Sequence, residues 1–216
     1  PPPPPPPPPE WAPQRTSPPP PRPPPRGPPP PPPRRNPAWQ PVAYFFPAVP
    51  AAAPITGPGA DYDALVEALR YVCEYEAKMI ASDGEGAGRL VTCTVQGAAS
   101  EEQAELMAKA VVRSPLVKCA IFGTDANWGR VLCAVGYSGA EFDPKDVEVK
   151  FLSQAGELKV CAGGQGVPFD EDLAKKVLSE PEVVILVTLT AGDATCSCWG
   201  CDLTYDYVKI NGDYRS

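Results

Sequence analysis

The sequence predicts an α+β domain, helices layered on a mixed β-sheet, carried behind a disordered Pro-rich tail. Three observations lead there. Of the 33 prolines, 29 lie in residues 1–58, and only Pro115, Pro144, Pro168 and Pro181 fall later. Beyond residue 60, apolar residues recur at helical spacing in some segments and alternate strictly in others. The two kinds interleave without a strict strand–helix–strand rhythm, which favours layers on a mixed sheet over a doubly wound parallel one.

Residues 1–60 read as a low-complexity tail and residues 61–216 as one domain. Pro1–Pro9 and Pro28–Pro33 are restricted to extended polyproline II, which makes no internal hydrogen bonds and buries nothing. Within the tail, Pro23–Arg26 offers a basic-flanked PxxP element for SH3- or WW-type partners, so a scaffold or binding module is one functional reading. A linker without a partner is the other. A short apolar patch, Val42–Phe46, closes the tail and is expected to lie against the body.

The body follows element by element. Ala64–Ala81 carries Leu65, Leu69, Val72 and Met79/Ile80 as a helical stripe that stops before Asp83-Gly84. Arg89–Gln96 alternates and reads as a strand. Ser100-Glu-Glu-Gln103 is a capping-box start for a helix running to about Arg113. Leu116–Gly123 reads as a buried strand, and Val131–Tyr137 as a small-residue helix. Val147–Leu152 and Glu157–Cys161 alternate like the arms of a hairpin. Asp170 caps a helix to about Ser179, Glu182–Leu189 is a β-branched interior strand, and Thr204–Gly212 is a last short helix.

Composition removes several functions. The chain has 8 cysteines and no histidine, which excludes Ser-His and Cys-His nucleophile systems and His-containing metal sites. Cys93, Cys119, Cys133 and Cys161 sit in apolar segments, as expected of free thiols in a reducing compartment. Residues 1–60 hold five arginines against Glu10; the remainder holds 14 basic and 25 acidic side chains. So acidic a body argues against nucleic acid as the main partner. The longest apolar run, Val183–Leu189, is too short to span a bilayer.

Four segments carry possible chemistry. Asp83-Gly-Glu-Gly-Ala-Gly88 joins a helix to a strand, the reverse of a phosphate-binding loop, and no Gly-Lys-Ser/Thr follows it. It reads as a tight turn, yet it leaves Glu85 between two glycines where a substrate could approach closely. Thr124-Asp-Ala-Asn-Trp-Gly-Arg130 gathers Asp125, Asn127 and Arg130 beside a glycine, either lining a site or forming an Arg–Asp pair under a Trp lid. Cys196-Ser-Cys198-Trp-Gly-Cys201 lacks the second ligand pair that zinc needs, and no metal is expected. Gly163-Gly-Gln-Gly166 reads as a turn. The terminus from Trp199 onward is aromatic and apolar up to Tyr214, which predicts that it is packed.

Taken in order, Ala77–Leu90, Ser114–Lys118, Phe122–Arg130, Ala134–Gly139 and Trp199–Ser216 resemble the ornithine acetyltransferase (glutamate N-acetyltransferase) family of arginine biosynthesis. The likeness runs from about Asp61 to the last residue and implies an incomplete ornithine acetyltransferase-like fold. It further implies a precursor that cuts itself before an internal threonine. The new amino-terminal Thr takes the acetyl group from N-acetylornithine and passes it to glutamate, with its own α-amino group able to act as base, so no histidine is required. By the same resemblance Glu85, Asn211 and Ser216 bind substrate, and an α chain of the same enzyme supplies the oxyanion donors in a hetero-oligomer. No cofactor is implied, although acetyl-coenzyme A enters as a possible second acetyl donor. The pathway points to a plastid or mitochondrion in a eukaryote and to the cytoplasm otherwise. Two departures stand out. The family loop continues Gly-Ala-Thr-Lys where this chain has Gly86-Ala87-Gly88-Arg89. The nucleophile's place falls in the proline tract, and neither Thr16 nor Thr56 has its surroundings, so this chain alone is expected to be inactive.

Overall fold

The computed structural model describes residues 55–214. The Pro-rich tract, Val42–Phe46, Thr16 and Ser216 lie outside the described residues. Six strands form one sheet of order β4-β3-β2-β5-β1-β6, with β1 Leu90–Ala98, β2 Glu148–Ser153, β3 Gly156–Ala162, β4 Gln165–Gly166, β5 Glu182–Thr188 and β6 Ala194–Cys201. Strands β1 and β5 run parallel while every other neighbouring pair is antiparallel, so the sheet is mixed as the sequence predicts.

One face of the sheet is the core. Val91, Cys93 and Val95 of β1, Val183, Ile185 and Val187 of β5, and Phe151 of β2 are buried against α2 Glu101–Arg113, α3 Pro115–Phe122, α4 Trp128–Gly136 and α5 Glu171–Ser179. Alternation puts the remaining residues on the other face, where Thr92 stands opposite Trp199 and Thr94 opposite Ser197, their hydroxyls 2.9 Å apart. Helix α1, Ala60–Ser82, lies over that second face: the Lys78 ammonium sits 5.5 Å from the centre of the Trp199 ring. None of its residues is buried, and the predicted stripe residues Leu65, Val72, Met79 and Ile80 all stay exposed.

The capping signals act where the sequence places them. Ser100 Oγ accepts from the Gln103 amide to start α2, and Asp170 Oδ1 accepts from Asp172 and Leu173 to start α5. Three expectations are corrected. Leu116–Gly123 is a helix, not a strand, because Ser114 caps it and Pro115 takes its first position, where a missing N–H costs nothing. Cys196–Cys201, read only as a cysteine motif, belongs to strand β6 against β1, with Ala194, Cys196 and Cys198 packed against the core and Thr195, Ser197 and Trp199 on the other face. The terminus forms helix α6, Tyr205–Asp213, but it is not packed: none of its residues is buried, and Tyr205, Val208 and Tyr214 are exposed.

Candidate functional site

The loop between α1 and β1 and the helix at the other end of the chain meet. Asn211 Nδ2 donates to Glu85 Oε2 at 2.6 Å and to the carbonyl of Tyr207 at 2.9 Å. Both partners are acceptors, so the amide's two hydrogens are spent and Oδ1 is the acceptor that Asn211 has left. Among the described residues neither Asn211 Oδ1 nor Glu85 Oε1 has a hydrogen-bond partner. Each residue of the pair thus keeps one acceptor oxygen, which suits an ammonium group, with three donors and no acceptor.

The surroundings explain why the loop can be there. Gly86 has φ +67°, a conformation L side chains rarely adopt, and a Cβ on it would lie 2.8 Å from both Asp206 Cβ and the Tyr207 amide nitrogen. Only glycine lets the loop lie directly on the first turn of α6. Thr204, at the start of that helix, donates its hydroxyl to the Gly86 carbonyl at 2.6 Å. Acid also collects here, with Asp206 against the loop and Glu85 at its tip, which favours cations.

Behind the loop stands Asp202, the only buried polar or charged residue among those described. Its Oδ1 accepts from the amides of Gly88 at 2.7 Å and Arg89 at 3.1 Å, and its Oδ2 lies 3.5 Å from Arg89 Nη1. The same guanidinium nitrogen donates to the carbonyls of Ile121 and Phe122, each at 3.2 Å. A buried carboxylate needs this company, since an unpaired charge out of water is far more costly than a paired one. Tyr205 packs edge-on against Phe122 with ring centroids 5.4 Å apart, tying α6 to the end of α3.

The second segment singled out from sequence is held by its own hydrogen bonds. Asp125 accepts from the Asn127 amide at 2.9 Å, Asn127 Oδ1 caps α4 by accepting from the Arg130 amide at 3.1 Å, and Arg130 Nη1 donates to the Leu116 carbonyl at 3.0 Å. Of the two readings of this segment, the Arg–Asp pair beneath a Trp lid does not form. Trp128 instead covers Gly166, where a Cβ would lie 2.7–2.8 Å from its ring. Thr124 opens the segment at φ 52°, strained for a β-branched residue.

The thiols show no such convergence. Cys93, opposite Cys198 across the sheet, is pushed strongly up by burial, and Cys198 is pushed up to about 11, again chiefly by burial. Both stay protonated at neutral pH and pack as small apolar groups. Among the described residues no group of three Cys, Asp or Glu side chains is placed to hold a metal ion, and no helix is long and apolar enough to cross a membrane. A groove of about 480 Å³ runs between α1 and the sheet, lined in part by Tyr75, Lys78, Arg89 and Glu182; neither Glu85 nor Asn211 lines it.

Sequence reasoning named Glu85 and Asn211, which the structure brings together, and missed Asp202, Thr204 and the role of Arg89. The available signal was a lone acid closing an otherwise uncharged run, Ala194–Cys201, immediately before a helix start at Thr204.

Residues 48–216 match the model of the ArgJ family. The chain is 54% identical over 156 residues to the arginine biosynthesis bifunctional protein ArgJ of Caldanaerobacter subterraneus, covering 72% of this chain and 39% of that protein. It is 48% identical over 149 residues to the glutamate N-acetyltransferase of Methanopyrus kandleri, covering 69% of this chain and 38% of that one. The crystal structure of arginine biosynthesis bifunctional protein ArgJ from Bacillus halodurans superposes with a TM-score of 0.70 at 41% identity, covering 76% of this chain and 75% of that chain. The chain thus spans about two fifths of the length of the curated relatives it matches. With a family match across more than three quarters of its residues, this chain belongs to the ArgJ family.

Proposed function

We propose that residues 61–216 supply the substrate cradle of a glutamate N-acetyltransferase, an enzyme that moves an acetyl group from N-acetylornithine to glutamate in arginine biosynthesis. One observation carries this reading: Glu85 and Asn211, 126 positions apart in sequence, meet at 2.6 Å on the surface, each with an acceptor oxygen to spare. The Glu85 carboxylate binds the ammonium group of ornithine or glutamate, and Asn211 Oδ1 accepts a second N–H. Ser216, the third position that the resemblance implies, contributes a hydroxyl from the chain's end. The name of the Methanopyrus relative states the same transfer chemistry.

Both cradle residues are exposed in this chain, so the opposite wall, the oxyanion donors and the acetyl-carrying threonine come from outside residues 61–216. The natural source is an α chain of the same enzyme, associated as a hetero-oligomer. Two acceptors aimed at ammonium leave the substrate's carbonyl end to that second wall, where a nucleophile has to approach. No cofactor takes part, and acetyl-coenzyme A enters only as an alternative acetyl donor.

The test is co-expression of the full chain with the segment of the Caldanaerobacter relative that lies outside the match. Labelled N-acetylornithine and glutamate should then give labelled N-acetylglutamate, while the full chain alone gives none. Glu85→Ala in the reconstituted enzyme should lower kcat/KM by about tenfold to a hundredfold, mostly through KM, because a charge-assisted contact made in ground and transition states alike is lost. Activity within twofold of the parent would remove Glu85 from the site.

A further inference from the structure

We infer that Asp202 is a positioning residue for the Glu85–Asn211 cradle, and that Arg89 holds its second oxygen in a role a hydroxyl at position 88 could fill instead. The inference rests on the functional reading above for what the cradle binds, but the clip itself stands on geometry. Asp202 follows β6 and begins the three-residue link to α6. From that place it fixes both halves of the cradle. Forward, Asp202-Leu203-Thr204 launches the helix that carries Asn211, with the Leu203 amide donating to the Lys118 carbonyl at 3.3 Å and the Thr204 hydroxyl to the Gly86 carbonyl at 2.6 Å. Backward, Oδ1 takes the amides of Gly88 and Arg89 at 2.7 and 3.1 Å, and the Asp202 amide donates to the Arg89 carbonyl at 3.2 Å. The loop that bears Glu85 is thus pinned just after its tip, at Gly86, Gly88 and Arg89, by Asp202 and Thr204.

Oδ1 has two partners, whereas Oδ2 has only the Arg89 guanidinium at 3.5 Å. The Asp202 side chain is 0% exposed and Arg89 17%, so neither can turn to water for replacement. Arg89 earns its place by reach: one nitrogen serves Ile121, Phe122 and Asp202 together. A lysine is one bond shorter, so its ammonium would sit farther from this set. A Cβ on Gly88 would lie 3.2 Å from Oδ2. A threonine there can turn its hydroxyl toward the oxygen that Arg89 now serves in one of its staggered rotamers, with Asp202 giving way by a few tenths of an ångström.

The test uses the full chain and two readouts, amide hydrogen exchange and binding of N-acetyl-L-ornithine followed by NMR. In the parent, the Gly88 and Arg89 amides should exchange slowly although the loop is exposed. Arg89→Gln should speed exchange at these two amides by at least about tenfold, weaken N-acetylornithine by about tenfold, and leave core amides such as Val95 and Val187 protected. Arg89→Lys should fall between, and Gly88→Thr added to Arg89→Lys should restore both readouts to near the parent. Unchanged exchange in Arg89→Gln overturns the clip. Loss of protection throughout the sheet overturns it as well, since the pair would then serve the fold rather than the loop. Failure of Gly88→Thr to rescue Arg89→Lys overturns the exchangeable roles of the two positions. If the parent does not bind N-acetylornithine, the functional reading falls, while the exchange data still decide the clip.

Discussion

The two faces of the sheet are held in different ways. On the α2 side, Cys93, Val95, Ile185 and Val187 are 0% exposed and pack against helices whose own apolar residues are equally buried. Helix α1, 23 residues over the other face, and the terminal helix of nine, beside the end of α3, contribute no buried residue at all. The first face folds by removing apolar surface from water. The loop after α1 and the helix α6 are instead placed by a few polar contacts: Asp202 on the Gly88 and Arg89 amides, Thr204 on Gly86, Asn211 on Glu85. The cradle lies among these contacts, where the start of β1 meets the link from β6 to α6. A stable core sets the strand ends, and short-range hydrogen bonds then aim side chains that must remain reachable.

The comparison breaks if the two faces respond alike to truncation. Phe151→Ala empties one of the largest fully buried side chains and should cost about 3–5 kcal/mol in denaturant unfolding of the full chain. Ile80→Ser on α1 removes a side chain that is 74% exposed and should cost within about 0.5 kcal/mol. Equal losses would mean that α1 belongs to the core.

A change at the junction sharpens it. Gly86→Ala forces a Cβ into the left-handed region and against the backbone of Asp206 and Tyr207, so the loop and α6 must part. The strain is on the order of 1–3 kcal/mol, yet it falls on elements that the core does not need. The midpoint of unfolding should therefore shift less than for Phe151→Ala, while N-acetylornithine binding is lost more completely. A larger shift than that of Phe151→Ala would show the loop to be part of the folding core.

Legibility in the sequence follows the same division. Strands β1, β2, β3 and β5 and helices α2 and α5 were readable because burial on one face imposes alternation or a helical stripe, and because Ser100 and Asp170 cap by local chemistry. Helix α3 misled because Leu116–Phe122 is apolar except for Lys118 and periodicity cannot separate a short buried helix from a strand; Ser114-Pro115 held the decisive signal. Strand β6 was hidden by its cysteines, which attract a chemical explanation and here act as packing. Glu85 and Asn211 could be named because rare words surround them. Asp202 could not, because its role depends on amides 113 and 114 positions away, a relation that no local pattern encodes. The aromatic terminus suggested a packed end, but residues that would cover a second surface look the same in sequence as residues buried in their own.

The smallest expected effect lies at the far edge of the sheet, where the β2–β3 hairpin carries its own charges. Lys159 donates to Glu148 at 2.7 Å, and Lys150 stands 2.7 Å from Glu157 and 3.6 Å from Glu148. The hydrogen bond from Lys159, with the charges of Lys159 and Lys150 behind it, holds the Glu148 carboxyl below its ordinary range despite partial desolvation. A carboxylate whose folded pKa is depressed stabilises the fold above its unfolded value, near pH 4.3, and that contribution drains away as pH falls through the folded value. Glu148 is 29% exposed and Lys159 46%, so water and salt screen the pair and the whole contribution should be about 0.5 kcal/mol. Glu148→Gln should thus lower stability slightly at pH 7 and flatten the acid limb of the stability curve below about pH 4.3, with the difference from the parent shrinking in high salt. The N-acetylornithine affinity at pH 7 should not change, because this hairpin is the sheet's opposite edge from β6 and the Asp202 clip. If Glu148→Gln altered the affinity severalfold, the polar contacts of the two edges would be coupled through the core, and the separation between a face that folds and a face that positions would not hold.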